Sequence, residues 1–415
     1  MTLIPARHKL AESTKITFYS LAIIALVATN QLSFAADTDL SKLAAANNDF
    51  AFNLLKQLTA EQAGATVFIS PYSAATALQM AGNGAGGQTR TEMLHVLGLS
   101  DLPTDALNAA SKAAADLLDS NDTNLVLTTA NALWYRQGVA IKPGFTNANQ
   151  KFFAATIRAL DFRNAPAAEA EINQWASDKT HGRITGIANG MIDPVYTDLV
   201  LANAIYFKGK WEDPFDANLT KDRPFHPATG SPKDHPMMEM SKSFMYRKGT
   251  GYQAVRLPYM GEDLAMYVFL PDPGSSPEKL LQIMNGDRWR RVTVPGFSDR
   301  PGRVVLPKFR LEYAAELNQP LTALGMKAAF NQDKADFSGI FSDQHHISEV
   351  TQMAFAEVNE EGTEAAAVTA IGVLSEGPEP PPPPPFEMIV DRPFLFAIVD
   401  ARSEIILFMG LVNDL

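Results

Sequence analysis

Apolar positions along this chain follow two periods, and the switches between them lay out its elements. Leu43, Ala46, Phe50, Ala51, Leu54 and Leu58 recur at helical spacing, which predicts a helix with one face turned to a core. Ala65 to Ser73 is a short β-rich run broken at Ser70-Pro71, and a helical Ala/Leu/Met segment follows to Met80. Asp105 to Leu118 is rich in alanine and predicts a helix, while Leu125 to Tyr135 alternates as a strand. Ile172, Trp175 and Ala176 mark the apolar face of another helix, which Gly182 is placed to end. Asp198 to Phe207 is almost continuously apolar and predicts a strand buried on both faces. Two apolar strands, Phe394 to Val399 and Ile405 to Val412, close the chain around a turn near Arg402 and Ser403.

The stretch from Glu357 to Ala370 fits neither period cleanly. It begins as a strand, and bulk stops at Gly362; from there to Ala370 every residue except Glu364 is small or β-compatible. Alternation sends Thr363, Ala365, Ala367 and Thr369 to one face and Glu364, Ala366, Val368 and Ala370 to the other. Three successive alanines favour a helix by intrinsic propensity, so the residues alone leave helix and strand both open.

Composition adds one folded unit and one leader. With 46% hydrophobic and 20% charged residues in 415, the chain has material for a sizeable core, and no linker or charge block divides it. Residues 36–415 are therefore expected to form a single domain. Ahead of it, Arg7, Lys9 and Lys15 precede an apolar run from Ile16 to Ala28, and Ser33-Phe34-Ala35 offers small residues for a peptidase, so residues 1–35 read as a secretory signal. The apolar run is short for a membrane span, and without cysteine there is no site for a lipid anchor or a disulfide. Removing the leader takes three of the 35 Lys and Arg and one of the 46 Asp and Glu, leaving a net charge of −13. Nucleic acid is not the expected partner of such a chain, and its place is the periplasm or the exterior.

Enzyme chemistry finds little support in the motifs. Gly82-Asn83-Gly84-Ala85-Gly86-Gly87 matches a dinucleotide fingerprint by letter, but a helix precedes it where a strand is needed. Thr89 and Glu92 read as a capping box starting the next helix, and the glycines as a turn rich in positive φ angles. His345 and His346 are adjacent, so on a strand they would face opposite ways; no metal spacing or nucleophile elbow occurs, and no cofactor is implied.

Several segments occur in the order and spacing of the serpin family, and from about residue 40 onward the chain resembles it. They are Ser70-Pro71-Tyr72-Ser73, Asn203 to Trp211 with Phe215 and Thr220, Leu306-Pro307-Lys308-Phe309, Ala335 to Gly339, Glu357 to Ala370, and Asp391 to Phe396. The resemblance implies an α+β fold: a large central, mostly antiparallel sheet, two further sheets, eight or nine helices and an exposed reactive-centre loop at about 360–390. It also implies an irreversible inhibitor of a serine protease, or of a cysteine protease attacking by the same acyl route, in place of an enzyme. The target cuts the loop and stays bound as an acyl-enzyme while the loop enters the main sheet, giving a covalent complex with a monomeric inhibitor.

Residue by residue, the resemblance makes Glu360, Gly362, Thr363, Glu364, Ala365, Ala366 and Ala367 the hinge. It places Ser70, Ser73, Asn203, Trp211, Lys308 and Gln352 where the sheet opens, with Glu360 and Lys308 paired at its top. Gln352 departs from the pattern, which usually has a histidine there. Spacing from Gly362 puts the reactive bond at Glu376-Gly377, whereas side-chain chemistry prefers Leu374-Ser375. Pro378 and Pro380 to Pro385 lack N–H groups and suit a stiff spacer beyond the cut. Lys112 is the only basic residue on its helix, which argues against glycosaminoglycan activation. The alternative function is a non-inhibitory serpin serving as a binding, carrier or substrate protein; such relatives lose the small-residue run that Ala365 to Ala367 keep.

Overall fold

The computed structural model describes residues 38–119, 125–362 and 384–415. The signal-like segment 1–35 lies outside them, as do residues 363–383, which include Thr363 to Ala367, Leu374, Ser375, Glu376 and Gly377. Helix α1 spans residues 38–61 and buries Leu43, Phe50, Ala51, Leu54 and Leu58, as their spacing predicts. Next come β1 (Val67–Ile69), α2 (Pro71–Gly82), α3 (Gly87–Val96), α4 (Thr104–Leu118), β2 (Leu125–Arg136), α5 (Pro143–Phe153), β3 (Thr156–Leu160), α6 (Ala165–Lys179) and β4 (Leu199–Gly209). The second half adds β5 (Lys221–Phe225), β6 (Lys233–Gly249), β7 (Tyr252–Pro258), β8 (Leu264–Pro271), α7 (Pro277–Ile283), α8 (Gly286–Arg288), β9 (Ser298–Pro307) and β10 (Phe309–Glu316). It closes with α9 (Asn318–Leu324), β11 (Glu349–Val358), β12 (Phe386–Ile389), β13 (Phe394–Asp400) and β14 (Ile406–Val412).

The strands form two sheets among the described residues. The smaller has the order β10-β11-β4-β2-β3 and is mixed: β10/β11 and β2/β4 are antiparallel, β11/β4 and β2/β3 parallel. Nine strands make the other, in which the two further sheets of the expectation run together. The cause is β6, seventeen residues long, which pairs with β5, β7 and β9 in turn.

Both faces of the five-stranded sheet are covered, which explains its unbroken apolar strands. Leu199, Leu201, Ile205 and Phe207 of β4 and Val350, Ala354, Ala356 and Val358 of β11 enter the core shared with the nine-stranded sheet. The alternate residues, Val200, Ala202, Ala204 and Tyr206 with Met353 and Phe355, enter a second cluster beneath α6. There Ile172, Trp175 and Ala176 are buried, and Trp175 meets Trp134 edge-on at 6.1 Å. Burial of such a side chain contributes about 1.5–3 kcal/mol. Helix α6 stops three residues before Gly182, which sits at φ 74 and returns its N–H to the Ser177 carbonyl.

Thr89 and Glu92 do not cap α3. The helix begins behind Gly86 with no side-chain cap. Thr89 is buried and its Oγ1 accepts the Asp336 N–H at 2.9 Å; Glu92 accepts the N–H groups of Lys327 and Ala328 at 2.8 and 2.7 Å. Both side chains serve a segment more than two hundred residues away. Nor do positive φ angles explain the glycines, since only Gly87 has one. A Cβ on Gly84 would overlap Ile340, and one on Gly86 would overlap Asp336.

Candidate functional site

Strand β4 has two unlike neighbours. Toward β2 it is paired antiparallel over eleven residues, from Leu125 opposite Gly209 to Tyr135 opposite Leu199. Toward β11 it is paired parallel over seven, from Glu349 opposite Val200 to Phe355 opposite Tyr206. Parallel pairing is slightly the weaker kind. The β11/β4 ladder also ends while both strands continue, so above Phe355 and Tyr206 they are no longer paired with each other.

Above this unpaired end a turn follows β11. Asn359 and Gly362 form an antiparallel bridge, so the chain reverses there, with Gly362 beside the backbone of Gly209 and Trp211. Gly362 sits at φ 82, and a Cβ there would collide with the Trp211 nitrogen and the Gly209 carbonyl; only glycine fits. Trp211 donates its indole N–H to the Asn359 carbonyl at 2.9 Å and its backbone N–H to Glu361 at 3.1 Å, while its ring stacks on Tyr259 at 4.4 Å. Glu360 accepts from Lys308 Nζ at 2.8 Å and from the Thr220 hydroxyl at 2.8 Å, and its carbonyl accepts the Phe215 N–H at 2.7 Å. Burial works against its charge, but the bonds from Lys308 and Thr220 outweigh that and hold the carboxyl below its ordinary value.

Midway down the ladder Gln352 faces the shared core, directly opposite Asn203. Its Oε1 accepts the Ser70 N–H at 2.9 Å, and its Nε2 donates to the Ser70 carbonyl at 2.7 Å and to Asn203 Oδ1 at 3.4 Å. One amide thus copies a backbone pairing to the residue that caps α2 and spans the weak ladder. Asn203 passes the chain on to Asn131 Oδ1 at 2.8 Å, and the Ser70 hydroxyl donates to the Leu407 carbonyl at 2.6 Å. Ser73 is fully buried beside them, its hydroxyl without a partner. The amide supplies the hydrogen bonds that the departure at this position puts in question, and it does so with a group that does not titrate.

Of the residues singled out in the sequence, Ser70, Ser73, Asn203 and Gln352 come together at mid-ladder, and Lys308, Trp211, Glu360 and Gly362 at its top. Sequence reasoning missed Asn359, whose carbonyl holds Trp211, and Asn131, which ends the amide chain. Thr220 was noticed without its partner. His345 and His346 do not lie on a strand; His345 Nδ1 meets Asp198 Oδ2 at 3.1 Å near the foot of β4. No cluster of metal-ligating side chains exists among the described residues.

The chain and its fold are similar to known proteins. Residues 45–415 match the family model described as serpin (serine protease inhibitor). Iripin-2 of Ixodes ricinus is 38% identical over 382 residues, covering 90% of this chain and 94% of its own. The leukocyte elastase inhibitor of Bos taurus is 35% identical over 389 residues, 90% and 100% of the two chains. The crystal structure of Tengpin, a thermophilic serpin in the native state, superposes with a TM-score of 0.80 at 29% identity, covering 90% of this chain and 94% of that one. The chain belongs to the serpin family. The family is described as one of serine protease inhibitors, one of these relatives is named as an inhibitor of leukocyte elastase, and a protease is the family-level partner.

Proposed function

We propose that this serpin is an exported, monomeric suicide inhibitor of a serine protease whose cleaved loop becomes a strand between β11 and β4. The observation that carries the proposal is the reversal at Asn359 and Gly362 beside a parallel ladder that stops short. Continuing the register of that bridge sets Thr363 opposite Val358, Ala365 opposite Ala356, Ala367 opposite Ala354 and Thr369 opposite Gln352. These four then face the shared core, where only small side chains fit. Glu364 falls opposite Glu357 on the outer face, which accounts for the one large charged residue of the hinge. The incoming strand is antiparallel to both neighbours, so one parallel ladder gives way to two antiparallel ones. At about 0.5 kcal/mol net for each of a dozen added bonds, several kcal/mol become available to distort the attached protease.

The protease serine attacks the carbonyl of Glu376, or of Leu374 in the alternative, and the new α-amine departs with the C-terminal piece. That piece is held by β12, where Arg303 binds Glu387 at 2.6 Å and Phe386 stacks on Tyr246 at 3.8 Å. Lys112, the only basic residue of α4, is engaged by Asp116 at 2.7 Å, which supports inhibition without a polyanionic activator. Incubation with a panel of serine proteases should give a complex that survives boiling in detergent. Mass spectrometry of the released fragment then assigns the bond, by a start at Gly377 or at Ser375. Cleavage with no complex by any protease of the panel would make this a non-inhibitory family member.

A further inference from the structure

The top rung of the β11/β4 ladder, Phe355 opposite Tyr206, carries more than strand pairing. The two rings lie on the outer face, 6.0 Å apart. The linker that leaves α6 crosses above them and touches both strands. His181 meets Tyr206 edge-on at 6.0 Å, and the Arg183 guanidinium lies over Phe355 at 5.8 Å, joined there by Arg310 of β10 at 5.0 Å. His181 and Arg183 are solvent-exposed, so hydrophobic burial does not explain their placement. Backbone geometry fixes it. His181 is held at φ 52, a left-handed conformation that disfavours a side chain, with the Arg183 N–H bonded to the Thr180 carbonyl at 3.0 Å. Below them Thr180 and Ile184 are fully buried and anchor the linker.

We propose that His181 and Arg183 are positioning residues that clamp Tyr206 to Phe355 and set the rate at which the ladder opens; this rests on the insertion reading. Neighbouring strands lie about 4.8 Å apart, and a strand admitted between them doubles that spacing. Two side chains separated by one residue on a tethered linker cannot then keep both contacts. The clamp is therefore made in the intact protein and broken in the inserted one. An exposed cation–aromatic contact changes an opening rate by roughly two- to fivefold, enough to tilt the contest between insertion and deacylation.

The test compares Arg183→Ala, His181→Ala, which removes the ring and keeps the Cβ, and the conservative Arg183→Lys with the unaltered protein, each intact and with the loop cut by a non-target protease. Melting temperature and the rate of spontaneous inactivation on incubation are measured. The expected result is that Arg183→Ala and His181→Ala lower the melting temperature of the intact form only and speed inactivation about two- to fivefold, while Arg183→Lys stays near the unaltered protein. A merely structural role would lower both forms equally, and that outcome, or an unchanged inactivation rate, overturns the clamp. If the unaltered protein gains no stability on cutting, insertion itself has failed and the clamp falls with it. A gain in the unaltered protein with equal losses in the variants removes the clamp alone.

Discussion

The two edges of β4 show how one strand can be both fixed and removable. Its edge toward β2 is sewn over the full length of the strand, antiparallel and without a gap. Its edge toward β11 is parallel, shorter by four residue pairs, and supported instead by side chains: Gln352 at the middle, Lys308, Thr220 and Trp211 at the top. A ladder held by a few side chains can be opened without unfolding its neighbours. On the proposed function, the difference localises the conformational change to one seam and leaves the core behind it intact.

That contrast can be broken most severely from the incoming side. Thr363→Arg places a charge opposite Val358, on the face turned to the shared core, at a cost of several kcal/mol. The detergent-stable complex should fall on the order of 100-fold while cleavage continues; undiminished complex would refute the register drawn from Asn359 and Gly362. Next in size is the loop cut itself. If the parallel seam is the weak one, cutting without trapping should raise the melting temperature on the order of 10 °C, and calorimetry of cut and uncut protein checks it.

Gln352→Ala removes three buried hydrogen bonds from the seam and should cost the intact protein about 2–4 kcal/mol. Gln352→His, with one ring nitrogen in place of a paired amide, should fall between the two; equal melting of all three would mean that Gln352 does not hold the seam. The smallest effect lies at the foot. Burial, and then the charge of Glu316, push the Glu349 carboxyl up to about 7. Because that value exceeds the unfolded one, the stability is complete below the ordinary carboxylate range and is lost as pH rises through 7. Glu349→Gln should leave melting unchanged near pH 4.5 and raise it by about 2–4 °C at about pH 8. No gain at the higher pH would show that Glu349 is relieved by other means.

Periodicity made the elements legible because it is local: the stripe from Leu43 to Leu58 and the unbroken run of β4 needed no partner to be recognised. Family resemblance supplied what periodicity lacked, including the Lys308 and Glu360 pair, 52 residues apart. What stayed hidden was long-range and particular. Thr89 and Glu92 have the letters of a capping box, yet their oxygens are taken by Asp336, Lys327 and Ala328. Gly84 and Gly86 look like turn glycines and are instead points of close approach to Ile340 and Asp336. Likewise, nothing local in Gln352 reveals that its amide answers Ser70, 282 residues earlier.

The reversal at Gly362 also decides what kind of kinetics insertion can have. A hairpin formed from an open chain is limited by nucleation, since closing the first turn costs chain entropy before any cross-strand bond repays it. Here the turn is closed in advance, with Gly362 at φ 82 and its bridge to Asn359 made. On the proposed function, insertion would be elongation from a standing nucleus, one rung after another, with hydrolysis of the acyl bond competing at every rung. An obstructive side chain facing the core would stall the zipper at its own position, so substitutions at Thr363, Ala365, Ala367 and Thr369 would act as a ruler, giving less complex the nearer the obstruction lies to the nucleus.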